Sequence, residues 1–77
     1  MKYLNNIIKL PESYGYRFEK IKNILLCEAQ NNYTKIFFLK GEPLLTSRTL
    51  KSIHEILPEK YFFRINRKHI INLLYVK

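Results

Sequence analysis

Arg64, Arg67 and Lys68 fall within five consecutive positions of the closing segment RINRKHIINLLYVK, interleaved with Asn66, His69 and Asn72. Each type has a distinct chemistry. The planar guanidinium of an arginine such as Arg67 can donate two parallel bonds to guanine O6 and N7, and an asparagine such as Asn66 can pair in the same way with adenine N6 and N7. An ammonium such as that of Lys68 is a point charge better suited to a phosphate oxygen. Ile65, Ile70, Ile71 and Leu73 surround the cluster and read as apolar anchors that hold a polar loop rigidly against a core. Arg64, beside Phe62 and Phe63, has a second reading, in which it braces the loop through a carboxylate such as Glu28. His69 and Asn72 join Arg64 as loop-supporting residues.

The whole chain is basic. Fourteen Lys and Arg stand against six Glu and no Asp, a net charge of +8. Such a surplus suits a polyanionic partner, with nucleic acid first, an anionic membrane second, and a basic surface serving only solubility as the plain alternative. Catalysis is poorly provided for, since it needs convergent acids, bases or nucleophiles. The two histidines, His54 and His69, lie apart, and Cys27 sits in an apolar run next to Glu28, where a structural thiol is expected. No Cys or His pair has metal-ligand spacing, and there is no glycine-rich phosphate loop. The sequence thus points to a non-enzyme without metal or other cofactor.

Seventy-seven residues make one small domain, here taken as residues 1–77, with a modest core. No run approaches the roughly 20 apolar residues of a membrane span. The N-terminus lacks a signal-peptide pattern and a lone cysteine forms no disulfide framework, so cytoplasmic residence is the default.

The elements that position the cluster are short. Ile7 to Leu10, Tyr16 to Glu19, Ile24 to Gln30, Tyr33 to Lys40 and Leu44 to Ser47 read as strands, with Pro11 and Gly15 bracketing the first turn. Asn31-Asn32 supplies left-handed positions for the third turn, and Gly41 serves the fourth. Connections this short favour antiparallel pairing. One helix, at about residues 49–57, places Leu50, Ile53, Ile56 and Leu57 on an apolar face and stops at Pro58, with Ser47 or Thr49 as N-cap. YFFRI reads as a sixth strand, and KHIINLLYVK as a helical turn followed by the start of a seventh. Most of the eleven Tyr and Phe lie in apolar runs and are expected in the core.

LCEAQNNY, TLKSIHEILP and FFRINRKHIIN follow one another in an order that resembles the LytTR family, and the resemblance covers residues 5–77. It implies a mostly β fold of small antiparallel sheets with one short helix, the DNA-binding effector domain of bacterial response regulators. Loops rather than a helix would enter the grooves: Asn66, Arg67 and Lys68 in one, Asn31, Asn32 and Tyr33 in the other. For Asn31 and Asn32, turn geometry alone is the competing reading.

Two positions depart from the family pattern, Asn66 where a histidine is common and Lys68 where a small hydroxyl residue is. The resemblance further implies double-stranded DNA carrying paired repeats, a dimer on that DNA, and a receiver domain or kinase system outside this chain. It also implies that the domain's last hairpin and the basic loop after it are missing. Other functional classes are a peripheral module for anionic membrane or an acidic protein, and a single-strand binder that stacks bases on its aromatic residues.

Overall fold

A computed structural model describes residues 6–76. Strands β1 (Ile7–Glu12) and β2 (Gly15–Lys20) form a two-stranded hairpin. A 3-10 turn at Ile21–Asn23 leads into β3 (Ile24–Gln30), followed by β4 (Tyr33–Phe38), β5 (Leu44–Thr46), the helix α1 (Leu50–Ile56), β6 (Phe62–Arg64) and β7 (His69–Asn72). The second sheet runs β5-β4-β3-β7-β6, and all the strand pairs in both sheets are antiparallel.

Alternation along the strands builds one core. Cys27 lies opposite both Ile36 and Ile70, and these side chains are buried with Phe62 and Ile24. Leu50 and Ile53 from α1 and Leu57 at its C-cap, together with Ile8 and Leu10 from β1, belong to the same buried cluster. Each such fully buried aliphatic or aromatic side chain contributes about 1.5–3 kcal/mol relative to exposure.

Buried polar side chains among the described residues find hydrogen-bond partners. Thr34 and Thr46 face each other across β4 and β5. The Thr34 hydroxyl donates to the Arg48 carbonyl at 2.8 Å, and the Thr46 hydroxyl accepts from the Arg48 N–H at 3.3 Å. This fixes the entry to α1, where the Thr49 hydroxyl accepts from the Ser52 N–H as N-cap.

Several expectations need correction. Ile56 is 44% exposed, because Leu50, Ile53 and Leu57 already fill the inward stripe of a helix only two turns long. Pro11 lies inside β1 opposite Tyr16, so the turn itself comes later, before Gly15. The C-terminal segment has the reverse order of that expected, strand first and 3-10 turn (Leu73–Tyr75) second. The Asn72 side chain accepts from the Leu74 N–H and so caps the turn. Among the expected loop anchors, Ile70 is fully buried, whereas Ile65 and Leu73 are exposed. The aromatic residues also divide: Phe38 and Phe62 are buried, but Tyr14, Tyr16, Phe18, Tyr33, Phe63 and Tyr75 are exposed. The two sheets leave faces open on which half of each alternating pattern lies.

Candidate nucleic-acid interface

Antiparallel pairing brings both singled-out loops to one end of the larger sheet. The turn after β3 is Asn31-Asn32, and Glu28 near the end of β3 lies opposite His69 at the start of β7. The Ala29 N–H donates to the Lys68 carbonyl at 2.8 Å, which stitches loop 66–68 to the same strand end as the turn. Asn31 adopts φ 57°, a left-handed conformation that asparagine tolerates better than other non-glycine residues, and Gln30 pairs with Tyr33 across the two-residue connection. Asn31, Asn32 and Tyr33 are all exposed.

Loop 66–68 has its own internal frame. Asn66 Oδ1 accepts from the Lys68 N–H at 2.8 Å, a side-chain turn that reverses the chain within three residues. The Ile65 N–H closes the base of the loop on the His69 carbonyl at 3.0 Å. Arg64 Nη2 donates to the Arg67 carbonyl at 2.8 Å. His69 stands between loop and sheet, with Nδ1 3.1 Å from Asn66 Oδ1 and Nε2 3.0 Å from Glu28 Oε2.

Arg64 therefore reaches the loop backbone and not Glu28. The reason is the pleat: Arg64 pairs with Ile70, whose side chain points to the buried face, whereas Glu28 pairs with His69 on the opposite face. Asn72 is remote from the loop. Its amide donates to the carbonyls of Ile21 at 3.0 Å and Ile24 at 2.7 Å, and so joins β7 to the start of β3.

Charge at this end is partly committed and partly free. Glu28 is held below the ordinary carboxylate range, first by the hydrogen bond from Gln30 and then by that from His69. Among the described residues, no hydrogen bond or ion pair engages the guanidinium of Arg67 or the ammonium of Lys68, and both residues are exposed. Arg17 contrasts with them. Its guanidinium donates to Glu19 at 2.6 Å and lies over the Phe38 ring at 4.3 Å. Sequence reasoning did not single out Glu28 as the partner of His69, and only the strand register reveals it.

Other concavities offer less chemistry. A hollow of about 640 Å³ between β1 and the end of α1 is lined by Ile7, Ile8, Pro11, Ile21, Ile56 and Pro58 with Asn6, Lys9, Tyr16 and Arg48. It presents no carboxylate, thiol or imidazole. Burial pushes the Cys27 thiol up to about 12, which leaves it protonated and inert. Among the described residues no cluster of His, Cys, Asp or Glu could hold a metal ion, and no helix is long and apolar enough to cross a membrane.

The protein is thus a small mostly β domain that presents two polar loops, one with unpaired cations, beside each other at a sheet end. The family model of the LytTr DNA-binding domain matches residues 14–77, and the chain belongs to that family. A solved structure with the same fold is the LytTr DNA-binding domain of a protein described as a methyl-accepting/DNA response regulator from Bacillus cereus. The two superpose with a TM-score of 0.72 at 20% identity, over 92% of this chain and 64% of that one. The present chain therefore spans under two thirds of that structure's length. No curated protein matches the chain.

Proposed function

We propose that the chain binds duplex DNA sequence-specifically, as the effector part of a bacterial transcriptional regulator of the two-component response-regulator type, through loops 31–33 and 66–68. Membership of a DNA-binding family supports the ligand class. The observation that carries the choice of surface is the shared position of the two loops, joined by the Ala29–Lys68 backbone bond, with the Arg67 and Lys68 side chains unengaged. In this reading Arg67 reads a guanine edge and Lys68 contacts phosphate. Asn66 has a different part from a bidentate adenine reader, because its oxygen lies against both the Lys68 N–H and His69 Nδ1, and its amide N–H groups are what it has left to offer. Asn31, Asn32 and Tyr33 donate to the neighbouring backbone. Paired repeats would be met by two copies of the domain, and a receiver domain or kinase system would act from outside this chain.

The test is a random-oligonucleotide selection, followed by titration of the selected duplex, its separate strands and anionic vesicles. The expected outcome is preference for the selected duplex, with affinity falling on a log-log salt slope near about −5 if about six phosphates are contacted. Equal binding to single strands would instead favour stacking on the exposed aromatic residues, and preference for vesicles would make the basic surface a membrane module.

A further inference from the structure

Both ring nitrogens of His69 meet oxygen acceptors: Nδ1 lies 3.1 Å from Asn66 Oδ1, and Nε2 lies 3.0 Å from Glu28 Oε2. The orientation of the Asn66 amide is set independently, because the same Oδ1 accepts the Lys68 N–H at 2.8 Å and an amide nitrogen could not. Glu28 Oε1 in turn accepts from Gln30 Nε2 at 3.1 Å. A neutral imidazole carries one N–H, so one of its nitrogens would turn a lone pair toward an oxygen lone pair. The doubly protonated ring satisfies both contacts.

A relay therefore runs from Glu28 on β3 through His69 to Asn66 and on to the Lys68 N–H, directly beneath Arg67. Loss of one His69 proton could be relieved by flipping the Asn66 amide so that its Nδ2 donates to Nδ1. That flip removes the acceptor from the Lys68 N–H and opens the turn that carries Arg67.

We propose that Glu28 and His69 are positioning residues for loop 66–68, which is set for duplex DNA when His69 is doubly protonated, so that DNA binding takes up a proton at His69. This rests on the duplex-binding reading given above. The groups around the ring are Glu28 with its partner Gln30 on β3, Lys35 opposite Glu28 on β4, and Asn66, Arg67 and Lys68 in the loop, while Arg64 on β6 lies on the other face of the sheet. The cations oppose a charged imidazole and Glu28 favours it. Phosphates brought against Arg67 and Lys68 offset the cations that oppose the charged imidazole.

Two measurements on the full chain test it. In the free protein, NMR follows the His69 ring nitrogens and the Lys68 amide from about pH 8 to about pH 5.5, spanning the ordinary imidazole range. The Lys68 amide should move with the same midpoint as the His69 ring, and this movement should be absent in His69→Gln. On the selected duplex, at constant ionic strength, wild-type affinity should rise on acidification by up to about tenfold per pH unit, the limit for one linked proton. Glu28→Gln keeps an acceptor oxygen but loses the charge, and should shift that rise to lower pH. His69→Gln should flatten it, with dispersed spectra showing that both variants remain folded.

A Lys68 amide indifferent to His69 titration, or an unchanged pH profile in His69→Gln, overturns the proposal. If no duplex is bound at any pH, it is the duplex reading that fails, and the NMR coupling still decides whether the relay exists.

Discussion

Arg64 turns its guanidinium back onto the carbonyl of Arg67, with Nη2 donating at 2.8 Å. The arginine that ends β6 thus holds the backbone of the loop arginine, whose own side chain is exposed. This bond lies at the exposed end of the domain. Its removal strands no buried acceptor, and the stability cost should be small, under about 1 kcal/mol. Arg64→Ala should instead weaken DNA binding by loosening Arg67, with Arg64→Lys restoring it only in part because a point charge lacks the guanidinium geometry. Thermal unfolding and duplex titration of the three proteins check this.

Leu57 closes the inward face of α1 and is 4% exposed. Leu57→Ala should cost about 2–5 kcal/mol, as large-to-small core changes do, enough to unfold much of a domain this size. Urea unfolding measures the loss. A variant of unchanged stability that had lost DNA binding would place the helix in the interface.

The fully buried Cys27, with its thiol pushed up to about 12, should resist thiol reagents in the native state at neutral pH. Labelling should proceed quickly only in denaturant. Fast modification of the folded protein would show that the β3–β7 seam opens readily.

Glu28 has its folded-state affinity for protons lowered by Gln30 and His69. A lowered carboxylate pKa stabilises the fold above the unfolded value, near about 4.3, and that contribution disappears as pH falls through the lower folded value. Wild type should therefore exceed Glu28→Gln in stability at pH 5 to 7 by a margin that vanishes in stronger acid. Parallel acid-unfolding curves for the two proteins test the sign.

Much of this architecture was legible in local patterns. The aromatic and β-branched run YTKIFF, the Asn31-Asn32 step and the 50, 53, 57 spacing with Thr49 before it are short-range signals, and each corresponds to the element found. Partnerships across strands were not legible. Whether Glu28 meets Arg64 or His69 depends on a register in which a slip of one residue moves every side chain to the other face. Nor does a local pattern reveal that a short polar loop ends at Lys68 and a strand begins at His69, since Asn66 makes the turn through its own side chain. The reversed order of the C-terminal elements has this origin. The exposure of Phe18 and Phe63 escaped for a further reason: alternation predicts that half the residues face one side, but not whether anything covers the other.

The claim that loop 66–68 reads sequence through Arg67 and grips phosphate through Lys68 is tested most directly by duplex titrations. Arg67→Ala and Lys68→Ala are each measured against the selected duplex and a scrambled one. A bidentate guanine contact contributes about 1–3 kcal/mol of discrimination, and each 1.4 kcal/mol is about tenfold. Arg67→Ala should lower affinity for the selected duplex by roughly ten- to hundredfold while the scrambled duplex loses only the effect of one charge. Lys68→Ala should weaken both alike and flatten the salt slope by about one. If Arg67→Ala weakens both duplexes equally, the loop grips the backbone without reading bases, and the assignment of Arg67 is wrong.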